Sequence, residues 1–187
     1  MKRVNLLNAI LIILLVSSLS AHAQLRIKVV YGSIGIDDGS LTPNEKKYAV
    51  LTDSLDRNLK IHSNDTTSLF LRALLYLRYN SLIAKPYSAD KIALENLEIA
   101  KKMAERAISL NMKNFNLKIL RAQIYKELIY RFAGDESWKY NSKQIAERRE
   151  LFNSYKELAN KCYDDLAEMD KRNTYDYQQL KVGSIYP

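Results

Sequence analysis

Along most of this chain apolar residues recur at the spacing of a helix. Leu51, Leu55 and Leu59 stand four apart and predict a helix from Thr42 to about Lys60. It opens at "TPNE", with a cap hydroxyl at Thr42, proline at the first helical position and Glu45 placed to reach back to the cap. The turn "HSND" ends it, and Asn64 or Asp65 caps a second helix, "TTSLFLRALLYLRYNSL". Apolar positions there, Leu71, Leu74 and Leu75 among them, cover so much of the circumference that this helix is expected at the centre, packed on several sides. Ser88 caps a third, from about Ala89 to Leu110, with Leu94, Leu97, Ala100, Ala104, Ala107 and Ile108 on its buried side. A fourth runs from about Asn114 to Phe132. After the loop "AGDESWKYN" a long fifth helix, about Ser142 to Asp170, carries Ile145, Phe152, Tyr155, Ala159, Cys162, Leu166 and Met169 at intervals of three, four and seven. Thr174 to about Val182 forms a last, short one. No strand pattern follows residue 40, so the expected class is all-α.

Ahead of the helices the pattern changes. Leu25, Ile27 and Val29 alternate with polar residues before Gly32, Gly35 and Gly39, which reads as a short strand or extended arm over residues 24–41. One strand cannot complete a sheet alone, so the arm lies along the helical body, stays disordered or pairs with a partner. Earlier still, Lys2 and Arg3 precede an apolar stretch centred on Leu6 to Val16 and then Ala21-His22-Ala23. A charged start, a short greasy centre and small residues two apart predict a secretory signal over residues 1–23, cleaved after Ala23. The alternative, a retained anchor, needs roughly 20 apolar residues. Asn8 and the serine-rich end leave fewer. The expected organisation is therefore a signal, an arm over 24–41 and a helical domain over 42–187, exported to the periplasm or beyond.

Export changes how the charge is read. Removing Lys2 and Arg3 from the 29 basic residues leaves 27 against 21 acids, a net charge of +6. Nucleic acid is then not expected as a partner, and a membrane only through an uncleaved signal; another envelope protein or peptide, or an anionic envelope polysaccharide, fits better. Cys162 is the single cysteine, so the domain contains no disulfide of its own and rests on packing.

Two helix joints repeat. "LKIHSNDTTSLFLRALLY" from Leu59 and "ISLNMKNFNLKILRAQIY" from Ile108 match at Leu71 with Leu120, Arg72 with Arg121, Ala73 with Ala122 and Tyr76 with Tyr125. A third stretch, "AEMDKRNTYDYQQLKVGS" from Ala167, follows weakly. An internal repeat of a helix–turn–helix unit is the mark of a solenoid. At these residues the chain resembles the tetratricopeptide-repeat family, in which antiparallel helix pairs stack into a right-handed superhelix. The resemblance puts the close-approach residues at Ala73, Ala122, Ala100 and Ala107, the first-helix aromatics at Tyr76 and Tyr125, and Ala159 and Tyr163 in the final unit. A side chain no larger than alanine lets helix axes come within about 8 Å. The joints are 49 and then 59 residues apart, from Ser63 to Met112 to Lys171, against about 34 in the family. Arginine replaces its usual leucine at 72 and 121, and an irregular helical bundle is the competing architecture.

Candidate chemistry is sparse. No catalytic motif, metal-ligand spacing or cofactor fingerprint is present. His62, the only histidine after cleavage, sits in a turn and suits a surface or capping role, while Cys162 on an apolar stripe reads as a buried thiol. The acid pairs Asp37-Asp38, Asp135-Glu136 and Asp164-Asp165 read as solvated charges rather than facing carboxylates. Two surfaces remain for binding. The resemblance implies an inner face of Asn116, Ile119, Gln123, Lys126 and Glu127, with Arg78 projecting from the unit before. Its polar members suit a peptide carboxylate or backbone, although a packed face is the competing reading for Ile119. The second surface is the loop bearing Phe132, Trp138 and Tyr140, which suits a sugar face or a protein contact if exposed, and core packing if tucked inward. The expected function is non-catalytic binding, with no cofactor; a small hydrolase with carboxylates assembled from separate helices is the remaining alternative.

Overall fold

The computed structural model describes residues 26–37, 45–83, 91–133 and 137–187. Its helices are α1 (Glu45–Ile61), α2 (Thr66–Ile83), α3 (Lys91–Ser109), α4 (Phe115–Phe132), α5 (Ser142–Met169) and α6 (Thr174–Leu180), with single 3-10 turns at Ser137–Lys139 and Lys171–Asn173. These lie within a few residues of the helices expected from periodicity. The signal, the Thr42 capping box, Ser88, Asp38 and Asp135-Glu136 fall outside the described residues.

Helix starts and stops follow from local chemistry. Asp65 accepts the Ser68 N–H at 3.1 Å and opens α2; Asn114 accepts the Asn116 N–H at 2.8 Å and opens α4. Asn141 and Gln144 form a reciprocal capping box at α5, with bonds of 2.9 and 3.0 Å. At the end of α3, Asn111 adopts φ 65°, Met112 N–H bonds to Ala107 O and Asn111 N–H to Ile108 O. That double bond closes the helix in a Schellman motif, with asparagine in place of glycine.

The helices pack as adjacent pairs, most extensively α2 with α3 and α4 with α5. Small residues allow this: Ala93, Ala100, Ala104 and Ala107 form the buried side of α3, and Ala159 sits midway along that of α5. As expected, α2 is central, burying Leu69, Phe70, Ala73, Leu74, Leu75 and Leu77. So is α4, with Leu117, Ile119, Leu120, Ala122, Ile124 and Leu128 all inside. A satellite cluster of Tyr48, Leu55 and Leu75 fixes α1 to α2.

The arm is a correction to the all-α expectation. Gly32 does not end a lone strand; with Tyr31 it folds the arm back. β1 (Ile27–Val30) pairs antiparallel with β2 (Ser33–Ile36), Val30 opposite Ser33. Tyr31 and Gly32 between them have φ 47° and 72°, the two positive values that a two-residue type I′ turn requires. Ile34 is buried in the main core against α4, so the hairpin supplies part of that core.

The sequence repeat has a physical basis. Arg72 of α2 reaches back 16 residues to Asp56 of α1, with Nε 2.7 Å from Oδ1; Arg121 of α4 reaches back 16 residues to Glu105 of α3, with Nε 2.6 Å from Oε1. Each guanidinium also lies over the tyrosine four residues on, 4.0 Å from the Tyr76 ring centre and 5.7 Å from that of Tyr125. Arginine therefore stands where an apolar residue was expected because it ties each helix to its predecessor. At the third joint Lys181 bonds Asp164 at 2.8 and 2.9 Å, a shifted version of the same tie.

Candidate functional site

The six residues expected on an inner face do not form one open surface. Ile119 is fully buried in the core, which corrects its assignment as a contact residue: it lies on the side of α4 that packs against other helices. Gln123 is half-buried, and its Oε1 accepts the Ile34 N–H at 3.0 Å. It serves the chain's own hairpin. Arg78 lines a shallow cleft of about 260 Å³ with Gln123 and the hairpin residues Lys28, Ser33 and Ile36. Asn116 is half-buried in the first turn of α4. Lys126 and Glu127 are half-buried too. Burial lowers the Lys126 pKa, with Glu127 opposing, and raises that of Glu127, with Arg131 and Lys126 opposing. The hairpin thus occupies part of the surface on which a peptide was expected.

The aromatic loop is arranged differently. Trp138, in the 3-10 turn between α4 and α5, is 74% exposed, with Lys139 Nζ 5.8 Å from its ring centre. Phe132, by contrast, is buried at the end of α4, a correction to its place among exposed contacts. Tyr140 is half-buried. Between the two rings lies the Arg148 guanidinium, 4.3 Å from the Tyr140 centre and 4.8 Å from that of Phe132, its Nη2 reaching the Arg131 carbonyl at 3.5 Å. An arginine held against two rings loses little side-chain freedom when a ligand binds beside it.

Phe132, Tyr140 and Arg148 border a cleft of about 380 Å³. Leu94 of α3, Phe132, Tyr140 and Leu151 of α5 make its apolar part; Glu98, Gln144, Glu147 and Arg148 make its polar rim. Beneath it, Lys101 bonds Glu98 at 2.6 Å and the Tyr155 hydroxyl at 3.1 Å, and that hydroxyl donates to Glu98. The three polar groups satisfy one another and join α3 to α5, which fixes the two walls. Tyr155 is buried, and burial together with Glu98 raises its pKa, so it stays a neutral donor.

Sequence reasoning found Trp138 and Tyr140 but missed Arg148, Leu94 and Leu151, which line the cleft with Tyr140. Position 148 lies two helical turns beyond the Asn141 cap, a spacing that brings a long side chain back over the residue preceding the helix. Leu94 comes from a helix about 40 residues earlier, and nothing local signals it.

The other candidate chemistry resolves into ordinary structure. His62 is exposed in its turn. Cys162 is buried, and burial raises its thiol pKa. Asp164 is bound by Gln178 and Lys181. Among the described residues, no three of His, Cys, Asp and Glu are grouped to hold a metal ion, and no helix is long and apolar enough to cross a membrane. No family model matches the chain, and neither a curated protein nor a solved structure shows significant similarity to it.

Proposed function

We propose that this chain is an exported, non-catalytic helical-repeat protein of tetratricopeptide-like design that docks another envelope protein or peptide. The contact surface in this reading is the Tyr140–Arg148 cleft together with the exposed Trp138 two residues before Tyr140, not the inner face beside the hairpin. One observation carries it: the only tryptophan stands 74% exposed two residues before Tyr140, which lines a mainly apolar cleft whose walls come from α3, α4 and α5. Tryptophan, tyrosine and arginine around a desolvatable pocket are the residue types that dominate protein-interface energetics. Leu94 and Leu151 favour an apolar side chain of a peptide over a sugar, whose hydroxyls would face aliphatic carbon there. Tetratricopeptide-like stacking is supported by the recurrence of the arginine–acid tie at a 49-residue interval, Asp56 and Arg72 against Glu105 and Arg121. Export rests on the charged, apolar and small-residue succession over residues 1–23.

A second reading, glycan binding, is favoured by the 74% exposure of Trp138, with the Lys139 ammonium over its ring. One fluorophore tests both. A photo-crosslinking amino acid at position 138, introduced in cells, identifies a contacting partner by mass. The emission of Trp138 in the native protein should then shift to the blue on titration with that purified partner. Trp138→Ala should weaken binding at least about tenfold, the loss of one hot-spot side chain. A shift with envelope oligosaccharides instead, and no protein crosslink, sinks docking in favour of glycan binding.

A further inference from the structure

The hairpin has two edges, and they are not alike. Asp37 N–H bonds to Arg26 O at 2.7 Å, which makes Arg26 and Asp37 a hydrogen-bonded pair and fixes the alternation inward from it. Lys28 with Gly35 and Val30 with Ser33 are then bonded pairs too, while Ile27 with Ile36 and Val29 with Ile34 are not. At the non-bonded pairs the N–H and C=O groups point away from the hairpin. On the β2 side the Ile34 N–H is already taken by Gln123 of α4. On the β1 side the outward groups of Ile27 and Val29 meet no acceptor or donor among the described residues, and Val29, Val30 and Tyr31 are exposed. An open edge is a template for another strand.

That edge is held rigidly. Ile34 is sunk in the core, and Gly32 lies against the Tyr177 ring and Leu180 of α6. We propose that the β1 edge is a second docking surface, independent of the Tyr140–Arg148 cleft, which takes an extended acidic segment of another protein as a third strand. The acidity follows from the solvent side of β1. Lys28 faces Gly35, which offers it no side chain, and among the described residues no ion pair neutralises it; Arg26 stands two residues away on the same side, across from Asp37. A strand alternating acidic and apolar residues sets carboxylates beside Lys28 and Arg26 and apolar side chains beside Ile27 and Val29. A second copy of this chain is a poor occupant. The antiparallel register that uses both Ile27 and Val29 on each copy places Lys28 directly opposite Lys28, and like charges so placed are destabilising.

The test uses isotope-labelled protein and a capped hexapeptide of alternating glutamate and valine. At saturation, hydrogen exchange at the Ile27 and Val29 amides should slow by about tenfold or more, with Lys28 and Val30 little changed because β2 already holds their amides. A capped hexapeptide of alternating lysine and valine should not bind. Lys28→Glu, which leaves every backbone bond in place, should reverse that preference, and Val29→Pro, which removes one outward N–H, should abolish protection at Ile27. No saturable binding up to millimolar peptide, or binding that leaves Ile27 and Val29 exchange unchanged, overturns the proposal. Protection of the same two amides that rises with protein concentration in the absence of peptide overturns it in favour of self-pairing.

Discussion

The tie between Arg72 and Asp56 gives a sharp energetic prediction because its two ends sit in different surroundings. The Arg72 side chain is 9% exposed and that of Asp56 43%. Two bonds join them, 2.7 Å from Nε and 3.3 Å from Nη2. At an effective dielectric near 20, unit charges about 4 Å apart attract by roughly 4 kcal/mol. Desolvating the guanidinium offsets much of that, and water at Asp56 screens the rest, so the net coupling should be about 1.5 kcal/mol. The single changes should not cost the same. Asp56→Ala leaves a buried cation whose other described contact is the Tyr76 ring, and should cost about 2–3 kcal/mol. Arg72→Met keeps most of the packing volume and frees a carboxylate that water can reach, so its cost should be about 1 kcal/mol. Urea unfolding of the wild type, both single variants and the double variant yields the cycle. If Arg72→Met costs as much as Asp56→Ala, or the coupling falls below about 0.5 kcal/mol, the tie does not hold α1 to α2 and the recurring arginine needs another explanation.

Three further expectations follow from single residues. Burial raises the Glu127 pKa above its usual 4.5, so the folded chain holds that proton more tightly than the unfolded one. The resulting penalty is absent below about pH 4.5 and full above the raised value; Glu127→Gln should therefore stabilise the protein at about pH 8 and leave it unchanged at about pH 4, and the opposite trend in urea midpoints would refute the assignment. Gly32→Ala meets both a φ of +72° and ring and methyl carbons of Tyr177 and Leu180 at 2.9–3.1 Å, and should cost about 1–2 kcal/mol by thermal unfolding, whereas Gly35→Ala, with nothing within 4 Å of the added carbon, should be nearly neutral. Cys162 should react with a thiol reagent only as fast as the native fold opens, accelerating through the urea transition; immediate reaction in native buffer would contradict its burial.

The sequence by itself determined the helices. Periodic apolar positions, the caps at Asp65, Asn114 and Asn141 and the turn at Asn111 are local features, each acting within a turn or two of chain, so they are legible without a fold. It also displayed the repeat of Arg72 and Tyr76 at Arg121 and Tyr125, but not its reason, because the acids that answer the arginines lie on the preceding helices and only packing brings them within 3 Å. The hairpin was missed for a related cause: the Tyr31-Gly32 turn lacks the usual Asn-Gly signal, and the weak two-stranded ribbon is stabilised by Ile34 entering a core built 80 residues later. Tertiary structure alone decided which candidate contacts stay outside. Trp138 and Phe132 belong to the same aromatic group in sequence, yet one stands in solvent and the other is buried, because Phe132 packs against Tyr155 and Arg148 of α5. Gln123 looked equally free; a distant backbone N–H claimed it. Local order is written in neighbouring residues, whereas exposure depends on which remote surfaces arrive, and that is set by the packing of the whole core.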